Sequence, residues 1–252
     1  MKQSAAGIRV SVVMATYNGE KYIRQQLESI LKNLTEEDEL IITDDGSSDR
    51  TISILKEYPE APIRYLEGPR KGVMKNFEHG IRAAQGRIIV LSDQDDIWKE
   101  DKLTCLLEDF ACEKNMAVVH DVSVVDEAGN MMLSSFFHYR GSRSGVWKNL
   151  LKNSYLGCTM AFRREMKDKI LPIPTDPGIP DQWHDQWIGL VCNCYGNVFF
   201  DRRILGAYRR HGENKSSLHH GSVRQMLYSR VKMTLFLISR FAGRKRIGRG
   251  YE

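Results

Sequence analysis

No uninterrupted apolar run approaches the ~18 residues of a conventional membrane span. Cysteine is sparse: the five residues lie at 105, 112, 158, 192 and 194 without a repeated C-x-x-C spacing. That argues against a disulfide framework or a zinc knuckle. Proline (7) and glycine (20) are at ordinary levels, which removes collagen-like and low-complexity classes. The opening stretch Met1–Gly7 lacks the apolar core of a secretory signal, so a cytoplasmic location is expected. Acidic residues all but vanish near the end. Residues 202–252 hold 13 Lys+Arg and 2 Asp+Glu, against 24 and 30 over residues 1–201. A basic tail on an acidic body points to a polyanionic partner for the tail alone: a membrane surface, nucleic acid or a phosphorylated substrate. What is present, 252 residues with 42% hydrophobic and 27% charged, suffices for a substantial buried core.

The apolar pattern alternates between two periods. Ile8–Ala15 is β-branched and ends in Thr-Tyr-Asn-Gly, a strand followed by a turn. Tyr22, Ile23, Leu27, Ile30 and Leu31 then fall at helical spacing within Glu20–Lys32. Strands are expected at Glu39–Thr43, Ile63–Leu66 and Arg87–Leu91. Helices are expected from near Arg50, with Ser48 and Asp49 as N-caps, and over Val73–Ala84. Such alternation implies parallel strands joined by crossover helices, and ligands bind beyond the C-terminal strand ends of such sheets. Thr16-Tyr17-Asn18, Asp44-Asp45 and Asp93–Asp95 should therefore gather at one edge.

Beyond Lys99 the pattern is mixed. A helix is expected over Asp101–Cys112, one or two strands over Met116–Val125, a strand over Leu156–Phe162 and a helix over Trp183–Asn193. Two short strands follow, at Asn197–Phe200 and Leu205–Arg209. No internal repeat occurs at a solenoid period. The expectation is one domain over residues 8–220, divided near residue 98, and a basic amphipathic tail over 221–252.

Asp93-Gln94-Asp95 places two carboxylates one residue apart after a buried strand, where both can approach a hard divalent cation. As a triplet alone it also reads as a solvated turn or helix cap, and Asp96 as no more than an N-cap. Asp44–Asp49 reads either as a turn leading into a helix or as a carboxylate offered to a base or ribose edge; an acceptor-only group suits the imide N–H of a pyrimidine. Thr16–Gly19 is either a plain strand–helix turn or a platform on which Tyr17 stacks a planar ring.

In this order, Ser11–Gly19, Leu40–Thr51 and Leu91–Trp98 resemble the family-2 glycosyltransferases, inverting nucleotide-sugar enzymes with the GT-A fold. The resemblance covers roughly residues 8–215 and is stronger before Trp98 than after it. It implies an α/β fold with a mixed, mostly parallel sheet. It also implies a UDP- or dTDP-sugar donor, a saccharide or lipid-linked saccharide acceptor, and Mg²⁺ or Mn²⁺. Thr16 and Tyr17 would line the nucleoside pocket, and Asp45 would accept from the pyrimidine. Asp93 would approach ribose or metal, and Asp95 would bind the cation that bridges the diphosphate. Lys71 and Lys75, within Gly68–Phe77, match a segment that contacts the donor, and equally read as solvated lysines at a helix start. Asp185, in Trp183-His184-Asp185-Gln186-Trp187, matches the base that takes the acceptor proton. Its alternative is a helix cap, with both tryptophans either in the core or stacking on a sugar, and His184 structural. In Tyr208–Ser216, His211 matches a third metal ligand and Arg210 a phosphate clamp, against the reading of an ordinary basic loop. Gly68–Phe77 and His184–Trp187 together are similar to rhamnosyltransferase-like members, which suggests dTDP-L-rhamnose as donor.

The tail alternates Met226-Leu227-Tyr228 and Met233–Ile238 with Arg224, Arg230, Lys232 and Arg240. A helix there either lies on an anionic membrane, placing the protein peripherally on the inner face of the cell membrane, or packs back on the body. Two other classes stay open. A sugar-phosphate nucleotidyltransferase would carry a Gly-rich basic loop after the first strand, which Thr16–Glu20 lacks. A noncatalytic RNA-binding module would need basic and aromatic residues interleaved on a sheet, whereas these strand ends are acidic, and no nucleic-acid partner is expected.

Overall fold

A computed structural model describes residues 7–177, 183–212 and 223–242. The first hundred residues alternate as their periodicity dictates. Strands β1 (Val10–Thr16), β2 (Asp38–Asp44), β3 (Ile63–Glu67) and β4 (Ile88–Ser92) are linked by helices α1 (Ile23–Leu31), α2 (Thr51–Leu55) and α3 (Val73–Ala83). The four strands lie parallel in the order β3-β2-β1-β4. β1 is flanked by β2 and β4, so the three turns that carry the acidic and aromatic residues are neighbours.

After a two-residue strand β5 (Ile97–Trp98) and helix α4 (Lys102–Phe110), the sheet becomes mixed. β6 (Asn115–Val125) pairs with the short β7 (Met131–Leu133). Helices α5 (Phe136–Arg140) and α6 (Val146–Leu151) then lead to β8 (Met160–Arg163), α7 (Lys167–Ile170), α8 (His184–Tyr195), β9 (Asn197–Arg209) and α9 (Val223–Ala242). β8 runs antiparallel to both β4 and β6, β9 runs parallel to β6, and β5 closes antiparallel on β9.

Alternate strand residues face opposite layers. Val12, Met14, Leu40, Ile42 and Val90 pack against α1, α2 and α4. Val13, Ile41, Ile89, Leu91 and Val119 pack against α3, α8 and α9. Both faces are covered, which is why these strands read as nearly continuous apolar runs. Burial of each large side chain, such as the fully buried Leu27 or Phe77, stabilises the fold by about 1.5–3 kcal/mol.

Two expectations are corrected. The two short strands at 197–200 and 205–209 are one strand, β9. Arg202 and Arg203 are accommodated where the pairing with β6 slips between His120–Asp201 and Asp121–Ile204, and Arg203 is held by Asp201, Glu108 and Asp109, each at 2.7 Å. The segment from Leu156 is not extended throughout. Gly157–Thr159 is a 3₁₀ turn, and pairing begins at Met160. α9 shares the core with the body through Met233 and Leu237. Phe236 meets Trp183 edge-on, and Arg240 donates to the carbonyls of Leu171 and Pro172 at 2.6 Å. Among the described residues no helix is long and apolar enough to cross a membrane. Glu213–Ser216 and the basic run Arg244–Arg249 lie outside the described residues.

Candidate active site

The turn after β1 is organised by its neighbours. The Thr16 hydroxyl is buried and donates to Asp44 Oδ2 at 2.8 Å, while Asp44 also accepts from the backbone N–H groups of Gly46 and Ser47. Thr16 and Asp44 thus shape the floor rather than offer free polar groups. Asn18 has φ +47°, a left-handed turn that asparagine tolerates, and its side chain accepts from Ser48 N–H at 2.9 Å. Gln94 ties this turn to the one after β4, accepting from Tyr17 N–H at 2.9 Å and donating to Tyr17 O at 3.0 Å. A side chain at Gly19 would lie 2.3 Å from Gln94 Oε1 and would displace the Gln94 amide from this bridge. The Tyr17 ring is left 53% exposed at the rim.

Asp45 is half-buried beside this floor. Its N–H donates to Thr16 O at 2.9 Å, and its carboxylate accepts from the N–H groups of Lys71 and Gly72 at 3.2 and 2.8 Å. A carboxylate has about four acceptor positions, so this anchoring leaves capacity for a ligand N–H. Asn76, fully buried on α3, was not singled out by sequence. It accepts from the Thr43 hydroxyl and donates to the carbonyls of Thr16 and Thr43, binding the ends of β1 and β2 together. Lys75 is held elsewhere: its ammonium contacts Glu78 at 2.7 Å and Ile173 O at 3.1 Å. Lys71 is exposed at the loop tip.

The acidic centre lies past β4. The Asp93 carboxyl sits well above the usual range, first through burial and then through the charges of Asp96, Asp95 and Asp185. Asp185 lies almost a hundred residues further on, so its effect on Asp93 reports spatial convergence. Asp95 Oδ2 lies 2.7 Å from His211 Nε2. Asp96 Oδ1 accepts from Arg209 N–H at 3.0 Å. Its carboxyl is buried beside the Cys158 thiol. Burial and then Asp95 raise the Asp96 carboxyl.

Two cations missed by sequence reasoning flank this centre. Lys102 is buried, donates to Cys158 O at 3.1 Å and sits 3.9 Å from the Trp98 ring centroid. Burial pulls its ammonium down to about 8, opposed by Cys158, Asp96 and Asp93. The available signal was a lysine one turn before Leu106 on the apolar face of α4. Arg209 donates to Asp95 O, Glu127 O and Gln25 Oε1 and lies over the Tyr22 ring. It pins the end of β9 to the acidic loop, whereas its neighbour Arg210 lies near the Tyr208 ring.

Asp185 occupies the first turn of α8, half-buried. Burial raises its carboxyl to about 7, with the Gln186 N–H and the Asn153 side chain partly opposing. The adjoining aromatic residues are structural. His184 stacks on Phe77 at 4.7 Å, and burial takes it down to about 4. Trp183 and Trp187 are buried and donate to Pro174 O and Ile170 O, which assigns both to the core rather than to a sugar face.

The residues fit a divalent cation. Asp93, Asp96 and Cys158 have ligand atoms within 4.8 Å of one another, and Asp95, on the same loop as the two aspartates, forms an oxygen–nitrogen pair with His211. Cys158 is the poor member of that set, because a soft sulfur suits Zn²⁺ or Cu⁺ rather than Mg²⁺ or Mn²⁺. Asp93, Asp95 and His211 supply carboxylate and imidazole donors that suit Mn²⁺, and Mg²⁺ through the carboxylates.

Residues 11–171 match the glycosyl transferase family 2 domain. The chain belongs to glycosyl transferase family 2. This family-2 chain is 33% identical over 166 residues to TuaG of Bacillus subtilis (strain 168), a glycosyltransferase named for teichuronic acid biosynthesis, with 64% of each chain covered. It is 40% identical over 99 residues to the dTDP-rhamnosyl transferase RfbG of Shigella flexneri, covering 36% of this chain and 34% of that one. The chain thus spans less than two thirds of the length of either relative. Among solved structures, S. aureus TarS 1–349 in complex with UDP-GlcNAc superposes with a TM-score of 0.70. That match has 17% identity and covers 92% of this chain and 67% of TarS 1–349. The shared architecture is the GT-A fold of glycosyltransferases.

Proposed function

We propose that this family-2 enzyme transfers a glycosyl group, with inversion, from a UDP- or dTDP-sugar to an acceptor hydroxyl in cell-surface polysaccharide or glycolipid synthesis. The observation that carries the reading is that Asp93, at the end of β4 beside Asp95 and Asp96, feels the charge of Asp185 at the start of α8. One end of the cluster suits a cation and diphosphate, and the other carries a carboxyl near neutral pH. Asp45 and the exposed Tyr17 ring form the base and ribose end, with the Asp45 carboxylate accepting the pyrimidine imide N–H. The order along the edge is nucleoside, diphosphate, acceptor.

A divalent cation held by Asp93, Asp95 and His211 would offset charge developing on the departing diphosphate. Asp185 takes the acceptor proton as the new bond forms. Its raised carboxyl suits this, because a general base works best with its proton affinity near the operating pH. The Gln186 N–H and Asn153 side chain fix the orientation of that carboxylate. Arg210, next to His211 in the chain, would add positive charge for the diphosphate. dTDP-L-rhamnose is one donor of this class, and the partial likeness to RfbG supports its inclusion.

A screen of UDP- and dTDP-sugars with Mn²⁺, reading nucleoside diphosphate release, tests the reading. Asp185→Asn should keep nucleotide affinity and lose about 10²-fold or more in turnover. Normal turnover in that variant removes the base assignment. Metal-independent binding of RNA, with no diphosphate release from any donor, removes the transferase reading.

A further inference from the structure

The α5–α6 face carries a second constellation, separate from the nucleotide edge. A cleft of about 750 Å³ is lined by Arg140, Arg143, Lys148, Leu151, Lys152 and Arg202, with no acidic side chain among its walls. Residues 131–164 contain no aspartate or glutamate at all. The crowding of like charge is physical: burial, then Arg143, Lys152 and Arg140, pull the Lys148 ammonium down to about 8. Among the described residues none of these cations has a carboxylate partner, and cations gathered in this way attract anions.

Apolar side chains stand exposed beside the cleft. Trp147 is 76% and Leu151 62% exposed, four residues apart on α6. α6 packs on α9, where Arg230 Nε donates to Leu151 O at 2.9 Å. The outer side of α9 presents Leu227, Val231, Leu235 and Ile238, all more than half exposed at spacings of four, four and three. Its inner side, through Met233 and Leu237, is already used by the core. Asp176, the carboxylate against this helix, is taken up by Lys232 and Tyr228.

We propose that α6, α9 and the basic cleft together form a docking surface for an anionic phospholipid bilayer, with lipid phosphates in the cleft and Trp147, Leu151 and the α9 stripe in the headgroup boundary. A soluble polyanion would use the cations and leave the apolar stripe idle; an apolar protein face would do the reverse. A bilayer surface takes both, with about 1 kcal/mol per cation near anionic lipid and additional binding from buried apolar area. Tryptophan in particular favours that boundary. α6 also borders the acceptor end of the site: Gln186 Nε2 donates to Asn149 O at 2.7 Å, and Asn153 contacts Asp185. Docking would bring Asp185 close to a lipid-linked acceptor. Only that last step rests on the transferase reading.

The test is co-sedimentation of the chain with phosphatidylcholine vesicles, with and without about 30 mol% phosphatidylglycerol, near physiological salt of about 0.15 M. Binding is expected only to anionic vesicles. Arg143→Glu with Lys152→Glu, and separately Val231→Ser with Leu235→Ser, should each weaken it by about tenfold or more. Trp98, Trp183 and Trp187 are buried and Trp147 is not. A blue shift of emission on binding should therefore disappear in Trp147→Phe while vesicle binding persists at reduced strength. Circular dichroism and UDP titration of each variant separate a lost surface from a lost fold or nucleotide site. Equal binding to neutral vesicles, no binding to either, or undiminished binding by the charge variant overturns the proposal. So does saturation of the cleft by inorganic pyrophosphate without vesicle binding, which marks a free-anion site. Self-association abolished by the Val231→Ser and Leu235→Ser pair marks an interface between copies and also overturns it.

Discussion

A single carboxyl, Asp185, links site chemistry to stability. Its proton affinity is raised to about 7 in the fold, against about 3.9 for an unperturbed aspartate. The folded state therefore holds this proton more tightly than the unfolded chain across that window, so the contribution of Asp185 falls as pH rises from about 4 to about 7. Asparagine carries no such penalty. Asp185→Asn should melt higher than the parent at pH 8, and the difference should vanish near pH 3.5. A lower melting temperature at pH 8 would place the carboxylate in a stabilising environment instead. For the same group acting as base, turnover should rise tenfold per pH unit below about 7 and level off above it. His211 is the second residue-scale case. Because it contacts Asp95 at 2.7 Å, His211→Ala should raise the Mn²⁺ concentration for half-maximal activity by roughly 10- to 100-fold. An unchanged metal requirement would assign the imidazole a packing role against Tyr22.

Among elements, α3 does more than cross from β3 to β4. Its Asn76 amide fills both donor and acceptor roles toward the ends of β1 and β2. Asn76→Ala takes a partner from the buried Thr43 hydroxyl and the Thr43 carbonyl, while Thr16 O keeps the Asp45 N–H, at a cost of about 1–3 kcal/mol. Urea unfolding should show that loss, together with weaker UDP binding because Asp45 follows directly on the disturbed strand end. Full stability in the variant would mean the loop is held by Asp44 alone. The elements that sequence located best, β1, β2, β4 and α3, are those whose local period and burial agree, with both faces of each strand covered. Sequence failed where a polar run stays inside a strand. Asp201-Arg202-Arg203 has the composition of a turn, but a slip in pairing absorbs the extra residues and α4 supplies Glu108 and Asp109 to pair with Arg203. The same distinction separates site residues. Asp93, Asp95 and Asp185 stood in recognisable acidic turns, whereas Lys102 and Arg209 owe their positions to tertiary burial against Asp96 and Asp95. No local pattern distinguishes such cations from solvated ones.

Taken as a whole, the molecule would assemble the proposed site from both halves of the sheet. On that proposal the nucleoside floor comes from β1, β2 and α3, the acidic loop from β4, His211 and Arg209 from the end of β9, and Asp185 from α8. A ligand spanning them couples elements far apart in sequence, so its binding energy should appear in the unfolding of the entire domain. A site-specific ligand at about 100 times its dissociation constant stabilises by about 2.7 kcal/mol. For a chain of this size that corresponds to a rise of roughly 5–10 °C in melting temperature. UDP with Mn²⁺ should produce such a rise in a single transition, with UDP alone giving a smaller one, since the carboxyl cluster then meets diphosphate without a counter-charge. Asp95→Ala should abolish the metal-dependent increment and leave the smaller one, because the proposed nucleoside contacts of Asp45 and Tyr17 would remain. An identical shift with and without Mn²⁺ in the parent would remove the cation from nucleotide binding. Two transitions, only one of them ligand-sensitive, would show that the halves of the sheet melt separately and that the site does not bridge them.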